Sequence, residues 1–227
     1  MYHSVDARRR GDTNREEVFV KDSHGQMVLG RTSWRRFAAV VVPATVAVSA
    51  LMGGVASGAI PVLMTVSGQT AMLSADKLDA KGFSQYPGVV KKRDGTVIPV
   101  AASQIKYAEI TNLCQSVKIP GTNVTLFIRG GRDGKPVIAK DLLIGMDHLS
   151  GDATFTNIDI GKDASDMTKG GPPPVGLEGQ FGQEADTAVI TGLQQRFYST
   201  HAGEFHLNGM SLNLKFDGSE CFTTIRP

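Results

Sequence analysis

The stretch SLNLKF, residues 211–216, alternates between apolar and polar side chains. Leu212, Leu214 and Phe216 therefore fall on one face, which is the pattern of a β-strand with one apolar side. The run NVTLFI at 123–128 is similarly rich in β-forming residues, and EFHL at 204–207 also alternates. These three runs predict strands.

Turn signals separate the predicted strands. They are Asp94-Gly95, the Gly-rich stretch at 130–134 and Asp217-Gly218, and such pairs favour tight turns. No stretch after residue 66 keeps a helical period of apolar residues. At about 160 residues, 67–227 has the size of one domain. The sequence therefore predicts a single all-β domain over 67–227.

A short step recurs along this domain, in which a β-type run ends in a polar residue and then a leucine. The four copies are SADKL at 74–78, EITNL at 109–113, GMDHL at 145–149 and VITGL at 189–193. The last interval is longer because it contains a Gly/Pro loop at 161–182, and prolines cannot join a sheet ladder. Recurrence near 35 residues favours a wound or solenoid-like sheet. A sandwich or jelly roll is the alternative.

An apolar segment precedes the domain. Residues 37–66 contain no Asp, Glu, Lys or Arg, and this length exceeds the roughly 20 residues that cross a membrane as a helix. Residues 1–36 hold eight Lys/Arg and five Asp/Glu, and we expect this basic tail to be disordered. Arg31, Trp34, Arg35 and Arg36 flank the apolar segment, and positive charge stays on the cytoplasmic side. The sequence predicts a single-pass protein of the plasma membrane, with a cytoplasmic N-terminus and the β domain outside.

A cleaved signal is the alternative to a permanent anchor. Small residues at 56–59 follow the apolar run, as they do before a signal-peptidase site. Glycines in the second half of the segment would also weaken a membrane helix. Cleavage would release the domain as a secreted protein, and the sequence leaves both fates open.

Two cysteines lie beyond the export segment. An even number of cysteines in an exported domain favours a disulfide, so we predict a bond between Cys114 and Cys221. It would tie the last strand to the middle of the fold. Because no histidine cluster accompanies the two thiols, a zinc site is a poor alternative.

Charge restricts the partners of the domain. The whole chain has a net charge of +2, but residues 67–227 hold 16 basic and 17 acidic residues. A near-neutral domain has no electrostatic basis for binding nucleic acid. The membrane, through the single span, is the predicted partner, and a lipid and an integral membrane protein are further candidate partners.

The sequence carries no catalytic motif that assigns a reaction. The Gly-x-Ser-x-Gly elbow of serine hydrolases is absent. Ser211, His206, His201, His148 and Asp147 could supply a triad by composition alone, but none lies in a strand–turn–helix context. We therefore assign no catalytic residue and lean toward a protein that is not an enzyme.

Metal and cofactor sites are not predicted either. The histidines are scattered, and no spacing matches a zinc or EF-hand site. The Gly-rich stretch GGRDGKP at 130–136 precedes a β-type run. A phosphate loop needs a helix N-terminus behind it, so this stretch reads as a hairpin turn.

The recurring steps also carry a resemblance. SADKL with GFSQY at 82–86, ITNLCQSV at 110–117, LSGDATFTNI at 149–158 and the late Cys221-Phe222 resemble one family. It comprises uncharacterised envelope proteins of actinobacteria, the high-GC Gram-positive bacteria, and it often carries the label "cholesterol esterase". The resemblance implies an envelope location and supplies no catalytic residues.

Three functions follow as hypotheses. The first is a non-enzymatic protein on the outer face of the plasma membrane that binds or presents a lipid or lipid-linked component in an apolar groove. The second is a structural or interaction module that partners a multi-spanning membrane protein through an exposed sheet edge or a flat apolar patch. The third is a secreted ester hydrolase.

Overall fold

The computed structural model describes Val42 and residues 62–171 and 176–224. The predictions for the tail at 1–36, with its flanking residues Arg31, Trp34, Arg35 and Arg36, lie outside these residues. So does most of the apolar segment. Within the described part of the chain, no helix is long and apolar enough to cross a membrane.

The domain is built from strands, which confirms the all-β prediction. The strands are β1 Val62–Val66, β2 Ala71–Lys92, β3 Val97–Thr111, β4 Leu113–Lys118, β5 Thr125–Gly130, β6 Val137–Thr156, β7 Asp159–Asp163, β8 Phe181–His201, β9 Glu204–His206 and β10 Ser211–Lys215. One short 3₁₀ helix, Ala164–Asp166, follows β7. The β structure begins at Val62, inside the last five residues of the predicted membrane segment.

The sheet closes on itself through four long strands. β2 pairs antiparallel with β3, β3 with β6, β6 with β8, and β8 returns to β2 through the pairing of Ala71 with Phe197 and of Ala75 with Leu193. This closed barrel differs from both the solenoid-like sheet and the sandwich that the recurrence favoured. Closure satisfies the ladder hydrogen bonds of these strands without a second sheet.

The recurring steps mark bends where strands change partners. β2 pairs with β4 and β8 before Asp76 and with β3 after it. Asn112, at φ 54°, separates β3 from β4, and Gly192 bends β8 at φ 60°. The register of β6 shifts around Asp147. The period near 35 residues thus reflects corners of one closed sheet, because bulges and left-handed residues bend a strand sharply.

The interior of the closed sheet is filled by small and aliphatic side chains. Ala80, Ala108 and Ala139 are paired across β2, β3 and β6, and each is fully buried. Alanine lets neighbouring backbones enclose a narrow core, and larger residues such as Leu113 and Leu193 fill the space beside them. A cavity of ≈ 30 Å³ remains beside Leu78, Ile144 and Leu193, and it has room for little more than a water molecule.

Three strands extend the sheet beyond the closed part. β4 pairs with the start of β2, β5 with β4, and β10 with β5. We call β4, β5 and β10 the arm. The arm ends at β10, which pairs only with β5 among the described strands.

The other end of the sheet is β7, which pairs with the start of β8. The loop predicted at 161–182 therefore differs from the observed one, because its first residues belong to β7 and its last two to β8. Between these strands lie the 3₁₀ helix and residues 167–180, of which 172–175 lie outside the described residues.

Candidate functional site

The predicted disulfide forms and fixes the C-terminal tail to the arm. Cys114 on β4 is bonded to Cys221, with the two Cα atoms 5.9 Å apart. The Cys221 backbone N–H also donates to the Ser116 hydroxyl at 3.0 Å, and Lys118 forms an ion pair with Glu220 at 2.9 Å. The bond joins the tail after β10, and not the last strand itself, to the middle of the chain. One face of the arm is thereby covered by the chain's own tail.

Phe127 lies under this cover. It is buried on β5, with Lys215 Nζ 4.7 Å and Arg129 Cζ 5.5 Å from the ring centroid. Both cations lie close enough to the ring for a cation–π contact. The covered face of the arm therefore has a packed aromatic centre.

The opposite face of the arm is apolar and bare. Leu212 and Leu214 on β10 are 55% and 50% exposed, and Phe216 just beyond the strand is 74% exposed. Leu214 is paired with Leu126, and Leu126 with Val117, so these side chains lie on the same side of the sheet. The alternation predicted at 211–216 is present, but its apolar side faces outward.

This bare face continues the interior face of the closed sheet. Val117 on β4 is paired with the buried Ala71 on β2 and packs against the core cluster. Leu126 and Leu214 continue the same row outward from Val117. An apolar surface that starts inside the domain thus runs to a free strand edge.

A polar cleft of ≈ 390 Å³ opens on the covered side, where three of the four recurring steps meet. Asp76, Asn112 and Gly192 from these steps line it, together with the disulfide. The Asn112 side-chain amide donates to the Asp76 carboxylate at 3.1 Å. The strand bends thus gather polar groups from distant parts of the chain into one concave site.

Two arginines line the same cleft. Arg129 lies on β5 opposite Cys114, and Arg132 follows in the Gly-rich turn. That turn connects β5 to β6, which do not pair, so the hairpin predicted at 130–136 does not form. Among the described residues neither guanidinium has a carboxylate within salt-bridge distance, whereas Arg196 is held by Asp147 at 2.9 Å.

A buried carboxylate anchors the loop at the β7 edge. Glu184 is fully buried on β8, where it accepts from Lys162 Nζ at 2.6 Å and from the backbone N–H groups of Thr168 and Lys169 at 2.7 and 2.8 Å. Burial alone would raise the pKa of the Glu184 carboxyl, but these three hydrogen bonds outweigh it and hold the pKa below its usual value. The arrangement stabilises a loop rather than forming a reactive centre.

An open apolar cleft of ≈ 290 Å³ lies beside the start of β8. Tyr86, Pro87, Val100 and the exposed Phe181 line it. The Tyr86 hydroxyl is buried without a hydrogen-bond partner among the described residues, and burial raises the pKa of this phenol well above its usual value. This cleft is wide enough for part of an acyl chain or a small apolar molecule.

The candidate triad residues do not assemble. Ser211 is paired with Arg129, and His206 on β9 is paired with Ile138. His201 is paired with Leu143 at the end of β8. No hydrogen bond joins Ser211 to a histidine in the described part of the chain.

Asp147 and His148 take other partners. Asp147 accepts from Arg196 at 2.9 and 3.0 Å and from the Tyr198 hydroxyl at 3.3 Å. His148 Nε2 is buried without a hydrogen-bond partner within the described ranges. Within the described residues, Asp147 therefore binds an arginine and a tyrosine and is not hydrogen-bonded to a histidine. No group of three or more His, Cys, Asp or Glu able to hold a metal ion occurs within the residues described.

Sequence reasoning missed Arg129, Arg132 and Glu184. The Gly-rich stretch that carries Arg132 was recognised as a turn, but nothing local in the sequence indicated that it lines a cleft. Glu184 gave no signal, because its role depends on a loop that returns to it after folding.

Comparison with known proteins gives one family. The match covers residues 67–222 and so includes all four recurring steps. No curated protein and no solved structure is significantly similar to the chain. The chain belongs to DUF6230, a family of unknown function.

Proposed function

We propose that this protein is a non-enzymatic interaction module on the outer face of the plasma membrane. Its partner is an integral membrane protein of the actinobacterial envelope, and the arm is the surface that binds it. The bare apolar face of β10, with its free edge, supports this proposal most directly. The N-terminal segment would hold the domain at the membrane, where such a partner is concentrated.

The geometry of β10 suits the addition of a strand from the partner. An incoming strand would pair with the free N–H and C=O groups along the edge of β10, and alternate apolar side chains would cover Leu212 and Leu214. Burying one leucine side chain stabilises a complex by about 1.5 to 3 kcal/mol before the costs of association. Leu212 and Leu214 are already about half buried, so their burial with Phe216 would supply part of the binding free energy, and the strand pairing would supply the rest.

The experiment compares native masses of full-length protein purified in mild detergent from its own membranes. We expect a stoichiometric complex that the double variant Leu212→Ser/Leu214→Ser loses. Ile160→Ser is the matched control, because Ile160 is 67% exposed at the opposite end of the sheet. A wild-type chain without a partner, or a complex that survives the double variant, would overturn the proposal.

Lipid binding is the second candidate, and the Tyr86–Phe181 cleft favours it. The ≈ 30 Å³ cavity of the closed core is too small for an acyl chain, so a lipid would lie in the open cleft instead. The same mass spectra test this function. An added mass of lipid size that Phe181→Ser removes, while the arm variant keeps it, would support lipid binding over partner binding.

A further inference from the structure

We infer that the polar cleft beside the disulfide binds a phosphate ester that carries neighbouring hydroxyl groups. The ligand class is a polyol or sugar phosphate, either free or as a lipid headgroup. The cleft lies on the covered side of the arm, opposite the bare face, so this inference is independent of partner binding.

Charge is the first support for an anionic ligand. Arg129 and Arg132 bring two positive charges to the cleft, and Asp76 brings one negative charge. An anion bound in the cleft would give both guanidinium groups a partner of opposite charge. Arginine is also the residue best matched to phosphate, because its planar N–H donors can bind two oxygens at once.

The fixed position of the arginines is the second support. Arg129 projects from the central strand of the arm, beside the Phe127 ring. The turn that carries Arg132 is closed by the Lys135 N–H, which donates to the Arg132 carbonyl at 3.0 Å, and it is held to a distant part of the chain by the Gly131 N–H, which donates to the Asn208 carbonyl at 2.8 Å. Little conformational freedom of the backbone would be lost when a ligand binds.

The remaining polar groups indicate hydroxyls on the ligand. The Asp76 carboxylate has acceptor capacity beyond its bond to Asn112, and Ser74 lines the same wall. A carboxylate repels phosphate but accepts from hydroxyl groups. The ≈ 390 Å³ volume holds a group of monosaccharide size, within the range typical of small-molecule sites. The phosphate would therefore contact the arginines, and the hydroxyl groups would contact Asp76.

The test uses the full-length protein in detergent and titrates it with sn-glycerol 3-phosphate by calorimetry. We expect saturable binding that Arg132→Gln weakens about tenfold, the loss typical of one charge-assisted contact. Arg132 is exposed in a turn, so its substitution leaves the fold intact. Arg93→Gln is the matched control, because Arg93 is exposed in the β2–β3 turn far along the chain from the cleft.

A second arm of the experiment identifies the source of the phosphate. Vesicles of phosphatidylcholine with phosphatidylglycerol are added in place of the soluble probe to protein in nanodiscs. Vesicle binding that glycerol phosphate displaces points to a lipid headgroup, and glycerol phosphate binding alone points to a free phosphate ester. The inference is wrong if neither probe binds, or if Arg93→Gln weakens binding as much as Arg132→Gln does.

Discussion

The two edge strands of the sheet, β7 and β10, carry different kinds of side chain. At one end, β7 carries the charged residues Asp159, Lys162 and Asp163 together with one exposed apolar residue, Ile160, and charges on an edge strand discourage pairing with other chains. At the other end, β10 presents leucines on a free edge. This difference between the two edges motivates the partner-binding proposal.

The two faces of the arm also differ in burial. Phe127 on the covered face and Leu214 on the bare face belong to adjacent strands, yet one is buried and the other half exposed. We expect Phe127→Ala to lower the free energy of unfolding by about 3 to 5 kcal/mol, because truncating a buried aromatic leaves a cavity.

Leu214→Ala is the control for this change, and it should cost less than about 0.5 kcal/mol, as is usual for exposed sites. Urea denaturation of both variants measures the difference. Equal losses would mean that the bare face is packed in solution, against a second copy or another part of the chain.

Removing the disulfide tests whether the C-terminal tail protects the covered face of the arm. Replacing Cys114 and Cys221 with alanine should cost about 2 to 4 kcal/mol, because the crosslink no longer restricts the unfolded chain. The Lys118–Glu220 ion pair, between a half-exposed lysine and a largely buried glutamate, would remain in the double variant. Hydrogen exchange of the backbone amides of residue 221 and of β4 should be faster in the double variant than in the wild type. Unchanged exchange there would mean that the noncovalent contacts already hold the tail.

The sequence allowed the strand content to be predicted because alternation and turn residues are local. The Cys114–Cys221 bond followed from export and an even number of cysteines. The closure of the sheet could not be predicted in this way, because alternation defines the two faces of a strand but not its partners. The steps at Asp76, Asn112 and Gly192 were recognised as a recurrence, yet only the paired strands show that they are bends.

The candidate sites were harder to predict for the same reason. The pattern at 211–216 correctly placed Leu212 and Leu214 on one face, but it could not tell whether a second layer would cover that face. The polar cleft combines Asp76, Arg129 and Arg132, which are distant in the chain or belong to different elements. Arg129 and Arg132 are close in the chain, but only the fold places them in one cleft with Asp76.

Substitution of Glu184, near the β7 edge of the sheet, should have the smallest effect on stability and the most specific pH dependence. Glu184→Gln should cost about 1 to 3 kcal/mol at neutral pH, because the amide presents donors where the carboxylate accepted from Lys162 and two backbone N–H groups. Since the pKa of Glu184 is lowered in the folded state, its contribution is complete above the unfolded-state pKa of about 4.3 and is lost as the pH falls through the folded-state value. The difference in stability between wild type and variant, measured by urea denaturation from neutral to acidic pH, should therefore shrink below about pH 4.3.

Glu204→Gln, which removes an exposed ion pair with Lys140, should leave the loop unaffected. A wild-type advantage that stays constant down to acidic pH would show that the Glu184 carboxyl is not held ionised by its three donors.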